Sequence, residues 1–302
     1  AANVKILNLR NKKLTEFPAN ISELKELESI DLSNNLLTNL PVSLEKLSKL
    51  KDIKLANNKF ETFPQSVLKL ENLQLIDLSS NQITSVTGDM KLMKNLKRLN
   101  LSSNKIASIN VTSANIAPIT DLNLSKNLLA IFPESIVLSS TLSNLDLSSN
   151  EIANLKGIEK VKSLTQLKLG TNKIKKLPKE ISQLSNLRVL ELENNLIDSI
   201  NNEITNLENL TNLDLSKNKI LYMPKDLSKL KNLKNLDMNE IGKVFPELTQ
   251  IESLNSLSLA GNNIDKLPAN FENLKQLRSI NLKNNNFSMF PADIIKLPEM
   301  RM

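Results

Sequence analysis

Apolar residues recur along the chain in a fixed eleven-place frame, clearest from residue 142 to 152. There Leu142, Leu145, Leu147 and Ile152 hold places 1, 4, 6 and 11, and Asn150 holds place 9. The same frame begins at Val4, Leu27, Leu50, Leu73, Leu96, Ile119, Leu142, Leu164, Leu187, Leu210, Leu233, Leu254 and Leu277, thirteen copies almost always 23 residues apart. Places 4 and 6 are two apart, the period of a strand with one face buried, and places 1 and 11 enter the same interior from either side. Each copy is therefore expected to supply one short strand and a return.

The polar place in this apolar frame is as regular as the apolar ones. Asn35, Asn58, Asn81, Asn104, Asn127, Asn150, Asn172, Asn195, Asn218, Asn262 and Asn285 all fall at place 9. A buried amide needs partners. Its donor and acceptor suffice to tie the loop after its own strand to that of the next coil. The returns carry an apolar–proline pair at Phe17-Pro18, Leu40-Pro41, Phe63-Pro64, Phe132-Pro133, Leu177-Pro178, Met223-Pro224, Phe245-Pro246, Leu267-Pro268 and Phe290-Pro291. Proline suits the start of a short helical turn, and the apolar residue before it is expected to point inward as a spine.

This frame, period and strand-plus-return unit resemble the leucine-rich-repeat family, in particular its bacterial and Ras-suppressor-like members. The resemblance implies an α/β solenoid, a horseshoe with a parallel concave sheet of about 13 strands and short helical or irregular convex returns. It implies one domain, residues 1–302, with stability drawn from contacts between neighbouring coils. Among the returns without this pair, three differ in length or composition. The fourth has Thr87 and Gly88 in place of proline, the fifth (106–118) is rich in β-branched residues and looks extended, and the seventh is one residue short at Gly157. The largest irregularity spans 233–253, a copy of 21 residues without the place-9 Asn. A break in the asparagine ladder is expected there, with Asn239 substituting through a shifted turn. The polar first copy, in which Lys12 replaces the ladder Asn, is expected to act as a minimal cap. Residues 290–302 are expected to fold back as a helical turn stopped by Pro298.

Composition narrows the chemistry. The chain has no His and no Cys, which removes imidazole acid–base pairs, the common triads, zinc sites and disulfides. With five Gly there is no phosphate-binding loop. The reading is a non-enzymatic protein without cofactor or metal. No apolar run is long enough to span a membrane; the compartment stays open between cytoplasmic and bacterial secreted or surface. A net charge of +7 permits anionic partners, but Lys alternates with Glu and Asp along the returns, as on a solvated surface.

Places 2, 3, 5, 7 and 8 point outward from the strand and its flanks, and the family resemblance puts them on the face where partners bind. Four of the five Arg (Arg10, Arg98, Arg188 and Arg278) stand at these places, and arginine is favoured at protein interfaces. The candidate partner-binding residues are Arg98, Asp121, Asn144, Asp146, Gln166, Lys168, Arg188, Glu191 and Asp214, with Arg188 beside Glu191 and Val189 as the leading position. Two carboxylate pairs on adjacent strands, Asp121 with Asp146 and Glu191 with Asp214, are expected within mutual reach. Thirteen strands make a surface about 60 Å long, room for an interface of about 800 Å² per partner. The expected function is a protein–protein interaction module acting as a monomer, with host interaction as what the bacterial resemblance implies. The alternatives are a recognition or scaffold fragment of a larger multidomain protein, enzymatic or not, and a polysaccharide- or nucleic-acid-binding surface. The absence of aromatics at places 3 and 5 disfavours the last.

Overall fold

The computed structural model describes residues 3–111, 118–135, 137 and 140–300. The chain forms two compact units, Ala1–Glu151 and Ile152–Met302. In the first, strands β1 (Ile6–Asn8), β2 (Ser29–Asp31), β3 (Asp52–Lys54), β4 (Leu75–Asp77), β6 (Arg98–Asn100), β8 (Asp121–Asn123) and β9 (Asn144–Asp146) lie side by side in that order. Two further strands, β5 (Ser85–Gly88) and β7 (Ser108–Val111), make a small sheet of their own. The second unit holds β10 (Gln166–Lys168), β11 (Val189–Glu191), β12 (Asn212–Asp214), β13 (Asn235–Asp237), β14 (Ser256–Ser258) and β15 (Ser279–Asn281).

All these pairings are parallel, and each sets equal places of successive copies opposite one another, as Ile76 against Leu99 and Leu190 against Leu213. Equal register follows from the frame: a slip of one residue would turn place 4 out to water. The frame residues form the core as expected. Leu145, Leu147, Leu142 and Ile152 are buried, as are their counterparts in the other interior copies.

The ladder asparagines bond to backbone, and to the preceding coil. This corrects the expectation of a tie to the next coil. Asn58 Nδ2 donates to Leu55 O of its own coil and to Leu32 O one coil back, each at 3.0 Å, while its Oδ1 accepts the Leu37 N–H at 3.0 Å. Leu32 O also accepts from Asn35 at 2.8 Å, so each such carbonyl receives two amide donors from successive asparagines. The direction is set by the backbone. Place 8, just before the asparagine, is left-handed in all thirteen copies, from φ 53° at Glu240 to 69° at Gly261, and this turns the place-9 side chain back under its own strand.

The copy at 233–253 interrupts this ladder. Asn239 bridges its neighbours at the surface, its Oδ1 accepting the Ala260 N–H at 2.8 Å and its Nδ2 donating to Ser216 Oγ at 3.3 Å. Asn262 compensates on the far side: its Oδ1 accepts both the Ile241 and Gly242 N–H groups, at 2.7 and 2.9 Å.

The helical returns are all 3₁₀ turns of three to five residues, such as Ala19–Glu23 and Lys179–Gln183, and no α-helix occurs among the described residues. Proline precedes or opens most of them in the extended conformation, as Pro18 and Pro178 do. The fourth and fifth returns are extended, as β5 and β7; the fifth return's residues 112–117 lie outside the described residues. Side chains cap both edges of this small sheet, Gln65 Nε2 donating to Thr87 O and Ser135 Oγ to Ile109 O. The spine is buried at Phe17, Phe63, Phe132 and Phe245, but Phe290, in the last return, is 60% exposed. The helical turn expected there, ending before Pro298, is present. Ala292–Lys296 is a 3₁₀ turn like the others, and the Met300 N–H bonds to Leu297 O as Leu277 bonds to Leu274 O. Met300 thus stands where a copy's first apolar residue stands.

Candidate functional site

The outward residues of the strands fall into rows, one row for each place. Within the place-5 row, Asp and Asn have a local task. Their Oδ1 accepts the N–H of place 7, as Asp31 does from Ser33 (2.9 Å), Asp77 from Ser79 (3.0 Å), Asp146 from Ser148 (2.9 Å) and Asp214 from Ser216 (2.9 Å). A short carboxylate or amide reaches two residues ahead and closes the strand end. Asp146 and Asp214, both candidates for partner binding, therefore also hold the scaffold.

Two neighbouring copies abandon the device. They carry Lys168 with Gly170 and Glu191 with Glu193 at places 5 and 7; the copy with Lys54 at place 5 lacks the device as well, but only here does a Glu at place 7 stand beside a Gly. Lys168 Nζ lies 3.2 Å from Glu191 Oε1, both side chains about one-third exposed. The Glu193 side chain lies across Gly170, where a Cβ would overlap its carboxylate, and its Oε2 is buried without a hydrogen-bond partner. Glu191, Glu193, Asp214 and Asp237 line one side of a cavity of about 330 Å³, with Val189, Asn212 and Asn235 on its other side. Burial pushes the Glu193 carboxyl above its usual range, and the Asp214 and Glu191 charges push it the same way. Burial, then Asp214, also raises Asp237. The arrangement concentrates negative charge that only Lys168 partly offsets, which suits a cationic group entering from solvent.

Comparison with known proteins agrees with this geometry. Models of the leucine-rich repeat match residues 2–60, 48–106 and 71–129, a leucine-rich-repeat-region model matches 129–260, and a further repeat model matches 253–274. Among solved structures, a leucine-rich-repeat protein of Leptospira interrogans is 32% identical, with a TM-score of 0.86 over 99% of this chain and 83% of that one. The chain belongs to the leucine-rich-repeat family. An internalin of Listeria monocytogenes (22% identity, TM-score 0.77, 99% of this chain and 86% of that one) and the leucine-rich-repeat domain of APL1B (22%, 0.77, 94% and 82%) share the fold. Comparison with curated proteins gives no match.

In this leucine-rich-repeat chain the candidate residues separate into two groups. In the first unit Arg98, Asp121 and Asn144 stand in register. Asn144 Nδ2 donates to Asp121 Oδ1 at 2.6 Å, and Thr120 Oγ1 donates to Asp121 Oδ2 at 2.6 Å. Asp121 therefore faces Asn144 and not Asp146, which lies opposite Asn123. The expected carboxylate pair is absent there because the two residues hold different places. In the second unit Gln166 lies opposite Val189, and Lys168, Glu191 and Asp214 are consecutive partners in register, so the second expected pair is present. Arg188 is exposed at the other margin of β11, about 10 Å along the strand from Glu191. Sequence reading passed over Glu193, Asp237 and Gly170. A signal existed: in most copies place 7 is Ser or Ala, so a Glu beside a Gly stands out once that row is read by itself.

Such repeats generally serve as protein-interaction modules. Among the described residues no group of acidic side chains is arranged to hold a metal ion, and no helix is long and apolar enough to cross a membrane.

Proposed function

We propose that this chain is a non-enzymatic protein-recognition module, residues 1–302 acting as one domain, and that the strand face at β10 to β13 holds the partner. The supporting observation is the loss of the strand-closing device at Lys168 and Glu191, beside the acid-lined cavity of Glu191, Glu193, Asp214 and Asp237. Glu191, which closes no strand end, stands at this concavity beside Glu193, while Asp214 lines it with a carboxylate that also closes its own strand. The charge favours a Lys or Arg side chain of the partner as the anchor, with Asn212 and Asn235 available to its neighbouring polar groups. Gln166 and Arg188 extend the same face, and Arg98, Asp121, Asn144 and Asp146 stand on the first unit's strands. The likeness to the Leptospira protein supports a bacterial setting, and a host protein is the partner class proposed within it.

The test is affinity capture with the wild type and with Glu191→Lys/Glu193→Gln. The variant is expected to lose partners that the wild type retains, with an unchanged far-UV spectrum. Equal capture by both would reject the strand-face site.

A further inference from the structure

Apart from the strand face, the second unit exposes a cluster of apolar side chains on the loops that lead from strand to return. Leu196 is 36%, Leu221 58% and Tyr222 70% exposed. Their backbones explain why they lie together. Lys176, Ser199 and Tyr222 form consecutive parallel bridges, and the Leu221 N–H donates to Asp198 O at 2.7 Å. The Lys219 N–H donates to Ile197 O, and that of Leu196 to Ile174 O. Places 10 to 13 of three successive coils are thus laid in register, as the strands are.

The row stops at Tyr222 because the next coil is the irregular one. Where a regular coil would bring a backbone N–H to the Leu221 carbonyl, the Lys243 ammonium donates instead, at 2.9 Å. Lys243 also lies over the Phe245 ring, 4.7 Å from its centroid. Places 12 and 13 are exposed in regular copies as well, as at Glu61 and Thr62 or Lys175 and Lys176; what sets the Leu221–Tyr222 side of the row apart from these is that it is apolar. Exposed lysines rim it: Lys175 and Lys176 on one side, Lys219 and Lys225 on the other. The acidic groups nearby are Asp198, whose carboxylate accepts from Ser199 Oγ, Glu180, which lines a hollow with the rim residue Lys176, and Glu240, paired with Lys217. The balance is basic. The exposed side chains amount to roughly 300 Å² of largely apolar surface, the size of patch that is often functional.

We propose that this patch is a second docking surface, distinct from the strand face, for an acidic polypeptide segment carrying an aliphatic side chain. Its apolar anchor would sit on Leu221 and Tyr222, and its carboxylates would meet the rim lysines. Single-stranded nucleic acid fits less well, because two of the three exposed apolar residues are aliphatic and offer no stacking plane.

The chain supplies its own reporter. Tyr222 is the only Tyr and there is no Trp, so the protein's tyrosine emission is that of Tyr222 alone. The experiment titrates a short capped peptide of Glu and Asp around two leucines into the whole chain and measures acrylamide quenching of that emission. The peptide is expected to shield Tyr222, and Lys175→Glu/Lys176→Glu to weaken the titration about tenfold. The same acids around two serines are expected to shield little. Absence of shielding, equal shielding by the serine peptide or by an oligothymidylate, or an unchanged titration of the lysine variant would each overturn the proposal. Glu191→Lys/Glu193→Gln should titrate like wild type, which separates this surface from the strand-face site.

Discussion

Asn81 offers the sharpest test of how one coil holds the next. Its Nδ2 donates to Leu55 O and Leu78 O, each at 3.0 Å, and its Oδ1 accepts the buried Phe60 N–H at 3.1 Å. The three contacts are not equivalent. Leu55 O keeps the Asn58 amide and Leu78 O keeps that of Asn104 when Asn81 is truncated, so each carbonyl loses one of two donors. No second acceptor replaces Asn81 at the Phe60 N–H, and an orphaned buried donor costs about 1–3 kcal/mol. With the two weakened carbonyls, Asn81→Ala should cost about 2–4 kcal/mol. Asn81→Asp should be worse at neutral pH, because it keeps the acceptor but sets a carboxylate against two carbonyl oxygens. Burial among acceptors raises the folded-state pKa of that carboxyl above its unfolded value. Its stability deficit relative to wild type should therefore shrink as pH falls through the raised value, where the protonated oxygen can donate. Urea unfolding followed by far-UV circular dichroism at neutral and acidic pH measures all three chains. A loss below about 0.5 kcal/mol for Asn81→Ala, which is within the range of surface changes, or an Asp variant no worse than Ala at neutral pH, would refute the reasoning.

Further consequences can be checked with the same means. Thr171 is β-branched in a left-handed turn at φ 56°, so Thr171→Asn should stabilise by about 1 kcal/mol; an unchanged urea midpoint would show the turn to be unstrained. Gly170→Ala should displace the flexible Glu193 carboxylate and weaken binding of a Lys-containing peptide in calorimetry, with little change in thermal midpoint. Glu193 is raised by burial and by Asp214 and Glu191, so it binds protons more readily folded than unfolded. Its burden on stability is absent below the ordinary carboxylate range and grows as pH rises through its raised value. Glu193→Gln should accordingly stabilise at neutral pH and not at acidic pH, and an equal midpoint shift at both would contradict this. If residues 1–302 form one domain, urea unfolding should show a single transition by circular dichroism and by Tyr222 emission; two separated transitions would divide the proposal.

The scaffold was legible because one physical demand repeats in every copy. Places 4 and 6 must be buried, so Leu145 and Leu147 announce a strand, and the asparagine between apolar neighbours announces a buried amide with work to do. The direction of that amide's bonds was not legible, since it depends on the left-handed place 8, which Asn, Ser, Lys, Thr, Glu and Gly occupy alike. The site was only partly legible. Reading polar outward residues as recognition surface caught Lys168 and Glu191 but also gathered Asp146 and Asp214, whose carboxylates close the ends of their own strands. Glu193 escaped because its meaning lies in contrast with the serines of the same row and in its seat on Gly170, one coil away. The Leu221–Tyr222 surface was missed because it lies at places 12 and 13, outside the strand places weighed as a recognition face.

The account depends most on the strand face at β10 to β13 being where a basic partner group is held. Backbone amide spectra of isotopically labelled protein, recorded while a short Lys-containing peptide is added, test this directly. The account predicts that the largest shifts fall on Val189 to Glu193 and on β12 and β13, and that they vanish in Glu191→Lys/Glu193→Gln. Shifts centred on the 3₁₀ returns, or undiminished in that variant, would contradict it.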